Sequence, residues 1–224
     1  MILSRSSVFT NSGSDGGGIH IGASGSQLGS LSFYQSAIHD NNASSYGGGV
    51  YYAGRGNNQW NDSTISSNYA GTLGGGAYLA GTDYVQMNRL TIANNDAWAG
   101  GAFYRQDNTC NVYIYDSILG DNTASISGSK DGNGTVSDSQ YSLFEVSSSI
   151  TFLSSSNLLL GLDPKLNALQ TWPSGIPTKV HPLMSTSPAV NVKSTSVSTV
   201  DQRGFSRCVG WGSNKCDIGA FERQ

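Results

Sequence analysis

The feature that most constrains this chain is a period. Ile38, Ile65, Ile92 and Leu119 stand 27 residues apart, and each is followed three positions later by an asparagine: Asn41, Asn68, Asn95 and Asn122. The same step links Phe33, Trp60, Met87 and Ile114, and again Ser36, Ser63, Leu90 and Ser117. Between asparagines lies a glycine block that runs into a short apolar stretch: Gly47 to Tyr52 (GGGVYY), Gly74 to Leu79 (GGGAYL) and Gly100 to Tyr104 (GGAFY). Three columns that keep one step over four turns define an internal repeat. A unit this short cannot bury its apolar face alone, so it must stack on its neighbours.

A 27-residue turn of two or three short strands and tight corners predicts an all-β fold. We expect a right-handed parallel β-helix, a single-stranded solenoid whose coils stack ~4.8 Å apart. Propeller blades of ~40 to 50 residues are too long for this step, and the pattern of leucine-rich repeats is missing. The coils are expected over residues 1–156, with 157–224 as terminal coils and a cap of the same domain that blunts the last open coil. Asn11 precedes Asn41 by 30 residues, so residues 1–37 read as an irregular first coil with its extra length around Ser24 to Ser30. A short helix is expected from Lys165 to Trp172. The asparagine column is expected at corners, since asparagine tolerates left-handed backbone and its stacked amides can bond along the column.

Composition agrees with this reading. Charged residues make up 12% of the chain, about half of the ~25% of ordinary globular proteins. A formal charge of -3 gives no electrostatic reason to expect nucleic acid or an anionic membrane as partner. No segment approaches the ~18 apolar residues of a transmembrane helix. The first residues carry no signal-peptide run and already resemble a coil (Val8, Asn11, Gly16 to Ile21), so the expectation is a fragment without its export signal.

Towards the C-terminus LDPKL (162–166), SPAVN (187–191), DQRGFSR (201–207) and CDIGAFE (216–222) follow one another. In this order they resemble the choice-of-anchor Q domain of secreted bacterial proteins. The upstream coils are similar to the pectin-lyase-like repeats, including those of polymorphic outer-membrane proteins, that usually precede it. The resemblance covers nearly the whole chain. It implies a right-handed parallel β-helix and an exported protein, secreted or held at the bacterial cell surface, often tethered by a C-terminal sorting signal that is absent here. It supplies no activity, because this fold hosts lyases, hydrolases and adhesins alike. Within these motifs Asp201, Arg203, Arg207, Asp217 and Glu222 read as a structural ion-pair network that locks the terminal loop over the last coil, rather than as a catalytic cluster. An oxidising compartment would join Cys208 to Cys216; free buried thiols are the alternative.

Two outward columns could carry function. Alternation within the glycine-led strands places Ile19, Val50, Ala77 and Ala102 inside, then Ile21, Tyr52, Leu79 and Tyr104. His20, Tyr51, Tyr78 and Phe103 are then expected outside as an aromatic strip, with Arg105 beside it, able to hold sugar rings by C–H contacts on the ring faces. The competing reading is an aromatic ladder that only stabilises the sheet. The second column, Gln35, Asp62, Arg89 and Asp116, sets an arginine between two carboxylates. Two coils would separate Asp62 and Asp116 by ~9.6 Å of backbone, near the ~6.5 to 9.5 Å of inverting glycosidases. A surface salt-bridge ladder is the plainer account. For a lyase, Arg89 and Arg105 are the basic candidates.

Asp131, Asn133, Thr135 and Asp138 echo a calcium loop that lacks its closing glutamate, and a flexible turn explains them as well. Neither the histidines (His20, His39, His181) nor the cysteines show metal-ligand spacing. The favoured function is therefore binding of a polysaccharide or cell-surface glycan, or adhesion, through a lateral face. A polysaccharide lyase or glycoside hydrolase using Asp62, Arg89 and Asp116 is the alternative, and a spacer without ligand the third reading.

Overall fold

The structure is a computed structural model that describes residues 1–22, 29–107, 109–173, 177–193, 198–208 and 215–224. It is the parallel β-helix that the period predicts. One coil shows the plan, with strands Asn57–Asn61, Thr64–Ser66, Tyr69–Leu73 and Ala77–Leu79. The first four coils thus have four strands each where two or three were expected. Stacked coils make four parallel sheets, of seven, seven, five and four strands in chain order along the coil. Trp60 pairs with Phe33 and Met87, and Met87 with Ile114; Ile65 lies between Ile38 and Ile92. These rows are buried and form the continuous interior, so residues one step apart do become vertical neighbours.

The corners explain the polar columns. Gln35, Asp62, Arg89 and Asp116 all have left-handed backbone, with φ between 45° and 54°, where the first strand turns into the second. At the next corner the left-handed residues are Asp40, Ser67, Asn94 and Asp121, each one position before the asparagine column. The asparagines therefore do not take the left-handed turn, as expected of them; they buttress it. Asn68 Nδ2 donates to Asn95 Oδ1 at 2.9 Å and to Ile38 O at 3.0 Å, while Asn95 Oδ1 also accepts from Asn68 N. The same pattern runs from Asn11 through Asn122. The column ends on Asp131, whose side-chain oxygens accept from Asn122 Nδ2 and Val146 N. Burial pushes the Asp131 carboxyl up to about 7. At the third corner Gly47, Gly74 and Gly100 turn with φ of 65° to 72°, and a Cβ on Gly74 would lie 2.4 Å from Ala77 O.

One slip in the repeat changes which residues face out. Gly100 follows Gly74 by 26 residues where the preceding coil has 27, and the third sheet shifts register between Ala70 and Leu73 to absorb the loss. Ala77 therefore pairs with Phe103, Tyr78 with Tyr104 and Leu79 with Arg105. A one-residue slip reverses every side chain of a strand. Phe103 is fully buried, Tyr104 faces out, and Arg105 points into the interior, which corrects the expected orientation of all three. The first coil is longer, as expected; its extra residues fall between Ile21 and Ser32, a stretch that includes 23–28, outside the described residues.

The C-terminal segment does not blunt the last coil. After the last coil (Ile150–Phe152, Ser155–Ser156, Leu159–Leu160) the chain turns back along the outer face of the second sheet. Val180, Leu183, Ala189, Ile218 and Phe221 bury a second apolar cluster against Ile118 and Leu143. Polar bonds fix it coil by coil: Gly219 N to Asp116 O, Ala220 N to Thr91 Oγ1, Thr64 Oγ1 to Gln202, Ser66 Oγ with His181, and Ser7 Oγ to Pro177 O. Lys165 to Trp172 forms no helix. At the end of the last coil Leu153 is 71% exposed.

Candidate functional site

The aromatic strip exists, with Tyr104 in the place expected for Phe103. His20 stacks on Tyr51 at 4.6 Å, Tyr51 on Tyr78 at 5.4 Å and Tyr78 on Tyr104 at 5.8 Å, with planes within 12° of parallel. Tyr46 packs on Tyr78 as well, at 4.9 Å. The ring faces are thus turned on one another, and Tyr78 is only 5% exposed. A sugar ring needs a free face, and inside this stack only edges point outward. Burial pushes the Tyr78 hydroxyl up to about 12 and raises Tyr51, so both remain neutral. The geometry is that of a ladder that fastens the fourth sheet.

Arg105, expected beside the strip, is 5% exposed and inward. Its Nη1 donates to Thr135 O at 2.6 Å and its Nε has no partner among the described residues. Burial lowers its pKa and pushes the nearby Cys110 thiol up to about 11. It is not available to a ligand at the surface.

The charged column is paired. Arg89 grips Asp62 through Nε–Oδ1 at 2.7 Å and Nη2–Oδ2 at 3.0 Å. Arg207 of the returning segment adds a bond to the same Oδ1 at 3.1 Å, and Lys193 Nζ holds both oxygens of Asp116 at 2.8 Å. Arg89 therefore binds one carboxylate and not the two expected of it. The column serves as the seam to which the returning segment is pinned.

The motif residues build the rest of that seam. Arg203 Nε and Nη2 bond Asp201 Oδ2 at 2.8 and 2.6 Å, and Nη2 also donates to Glu222 O. The Arg203 guanidinium lies 3.6 Å from the Phe221 ring centroid and 4.8 Å from those of Trp172 and Phe205. Burial lowers its pKa. Glu222 accepts from Cys208 N and Asp217 N beside Arg207, and burial, followed by the Asp217 charge, pushes it up to about 7. Cys208 and Cys216 form a disulfide. The cluster is a buried network of ion pairs and hydrogen bonds that clasps the flank of the solenoid rather than its last coil.

The calcium-like residues go elsewhere. Asp131 ends the asparagine column, and Asp138 accepts from Tyr115 Oη and Gln140 Nε2, both at 3.0 Å. Among the described residues no group of three or more His, Cys, Asp or Glu is placed to hold a metal ion.

Sequence reasoning passed over the outer face of the first sheet. Because Trp60, Met87 and Ile114 point inward, their strand neighbours Gln59, Gln86 and Tyr113, and Asn61, Asn88 and Tyr115, point outward in two further columns. The amides are tied together: Gln59 Nε2 to Gln86 Oε1 at 3.2 Å, Gln86 Nε2 to Asn88 Oδ1 at 3.0 Å, and Asn88 Nδ2 to Asn61 Oδ1 at 2.6 Å. Tyr113 meets Tyr84 edge-on at 6.1 Å. Where this face meets the seam, a cleft of about 250 Å³ opens, lined by Gln86, Asn88, Arg89, Tyr115, Asp116, Gln140 and Lys193. The signal was present in the period itself, one position either side of the row used to assign the interior.

Fold and face together define a parallel β-solenoid with a lateral cleft, walled on one side by its own returning C-terminal segment. Comparison with known proteins found no match among protein families, curated proteins or solved structures. No helix among the described residues is long and apolar enough to cross a membrane.

Proposed function

We propose that this chain is a non-catalytic, glycan-binding solenoid of an exported bacterial protein, of the choice-of-anchor Q kind its terminal motifs resemble, and that it binds through the outer face of the first sheet. The observation that carries this reading is the cleft between Gln86, Asn88, Tyr115 and Gln140 on one side and Lys193 on the other. Asparagine and glutamine side chains each offer two donors and a two-lone-pair acceptor, which suits rows of sugar hydroxyls. Tyrosine adds ring surface with a polar tip. The amides are already oriented by their mutual bonds, so little ordering is left for the ligand to impose. Two successive coils repeat the pair of amides, Gln59 with Asn61 and Gln86 with Asn88, before Tyr113 and Tyr115 take both places, and a face that long suits a polymer better than a single sugar. The Cys208–Cys216 disulfide supports an oxidising compartment outside the cytoplasm.

A polysaccharide lyase or glycoside hydrolase is the second reading, because Arg89 and Asp116 border the cleft. Against it, Asp62 and Asp116 are both taken up by cations, which suits anchoring better than proton transfer. A glycan array probed with the wild type and with Gln86→Ala/Tyr113→Ala separates the readings. Retention of a polysaccharide by the wild type and at least tenfold weaker retention by the double variant is expected. Equal retention removes this face from consideration, and release of reducing ends or unsaturated products from the retained polymer replaces the binder with an enzyme.

A further inference from the structure

A second cavity, of about 400 Å³, lies within the returning segment, lined by Asn167, Gln170, Trp172, Pro182, Leu183, Arg203, Phe221, Arg223 and Gln224. Its size falls at the lower end of the ~300 to 1,000 Å³ typical of small-molecule sites. Two properties set its chemistry. First, its charged side chains are of one sign: two arginines line it, and no aspartate or glutamate does. Arg203 spends Nε and Nη2 on Asp201 and Glu222 O, and its Nη1 makes no hydrogen bond among the described residues. The guanidinium of exposed Arg223 makes no hydrogen bond or ion pair among the described residues; burial holds the nearby Asp217 carboxyl above its ordinary range, and the Arg223 charge offsets only part of that rise. The Asp217 oxygens are themselves taken by Asn191 N and Arg223 N, both at 2.7 Å. Second, the lining away from the arginines is apolar and partly flat, from Trp172, Phe221, Pro182 and Leu183, with the Trp172 and Phe221 rings packed edge to face at 5.4 Å.

We infer that this cavity is a binding site for a small organic carboxylate carried on a flat apolar body, with the anionic head between Arg223 and Arg203 Nη1 and the body against Trp172 and Leu183. Guanidinium bonds to a carboxylate are short and charge-assisted, and the rings packed around Arg203 hold its fork in place before a ligand arrives. The remaining polar groups are partly spoken for, since Asn167 Nδ2 donates to Pro182 O and Gln224 Nε2 to Ser206 O. Selectivity therefore rests on the two arginines. The site lies apart from the first-sheet cleft, shares no lining residue with it, and does not rest on the glycan reading.

The test is calorimetric titration of the whole chain with indole-3-acetate, its neutral amide, and N-acetylphenylalanine, which presents the same head as a peptide C-terminus. Binding of indole-3-acetate at least tenfold tighter than its amide is expected, weakening as salt rises, with Arg223→Gln losing about tenfold while its melting temperature stays that of the wild type. Tighter binding of N-acetylphenylalanine assigns the carboxylate to a peptide end. Equal affinity for acid and amide, no heat with any of the three, or an unchanged Kd in Arg223→Gln overturns the assignment. If Arg223→Gln does not fold, the salt dependence of the wild type decides it: a Kd indifferent to salt refutes the role of the arginines.

Discussion

Replacing Asn95 with alanine tests what holds the coils in register. Asn95 is fully buried, and its side chain makes five bonds: Oδ1 accepts from Asn68 N and Nδ2, and Nδ2 donates to Asn122 Oδ1, Ile65 O and Ala93 O. Truncation strands the Asn68 backbone N–H without an acceptor, a loss of about 1–3 kcal/mol, and removes bonds worth roughly 1 kcal/mol net for each of the two amide hydrogens. Asn68 Nδ2 keeps Ile38 O, which limits the damage. The sum is about 3–5 kcal/mol, a large share of the ~5–15 kcal/mol that holds a typical folded chain together. Urea unfolding followed by circular dichroism measures it, with exposed Asn42→Ala as the control expected within about 0.5 kcal/mol of wild type. Asn95→Asp separates acceptor from donor. It keeps an oxygen for Asn68 but turns a carboxylate toward Ile65 O and Ala93 O, so at neutral pH it is expected to be worse than alanine and to recover as acid restores a donor. An Asn95→Ala cost no greater than that of Asn42→Ala refutes a structural role for the column.

Other consequences can be checked as directly. Asp131 and Glu222 both titrate near 7 when folded, above their unfolded values of ~4, so the folded state holds these protons more tightly. Their contribution is full below about pH 4 and is lost as pH rises through about 7; melting temperature is therefore expected to rise from pH 8 to pH 6, and Asp131→Asn to flatten that slope. Asp62→Asn leaves Arg89 and Arg207, both buried, without their shared carboxylate, and is expected to cost about 3–5 kcal/mol in the same urea assay. Reduction of Cys208–Cys216, eight positions apart, is expected to cost about 2–3 kcal/mol, read as a lower melting temperature in dithiothreitol. Gly75→Ala places a Cβ 2.6 Å from both Asp96 O and Gly101 O, backbone atoms that cannot swing aside, and a loss of at least 2 kcal/mol is expected from such overpacking.

The interior rows were legible in the sequence because stacking turns a constant count into a vertical neighbour; Trp60 over Met87 needed nothing more. The faces of the fourth coil were misassigned, since a single residue lost ahead of Gly100 exchanges the environments of Phe103 and Tyr104; the shorter step from Gly74 to Gly100 carried that slip, but a shortened glycine block explains the same letters. The returning segment was recognised as a cap of the same domain, but it was set over the last coil rather than along the flank. It carries no repeat, and its partners are short side chains such as Thr64, Ser66 and Thr91, which look like ordinary surface residues. The apolar Ile118 and Leu143 at the equivalent outward positions were the one hint that this sheet is covered. The first-sheet cleft was half legible: its floor follows from the period, whereas its wall, Lys193, belongs to a segment whose path the sequence does not reveal.

That path has a bearing on how the molecule is made. The bond between Ser7 and Pro177 joins residues 170 positions apart, so the rungs translated first wait for their flank to be clad until the last part of the chain has been made. A bare stack of rungs can fray from either tip one at a time, with each unit answering only to its neighbours. A strap sewn across the rungs makes the tips share one fate, and turns a modular column into a body that closes late and all together.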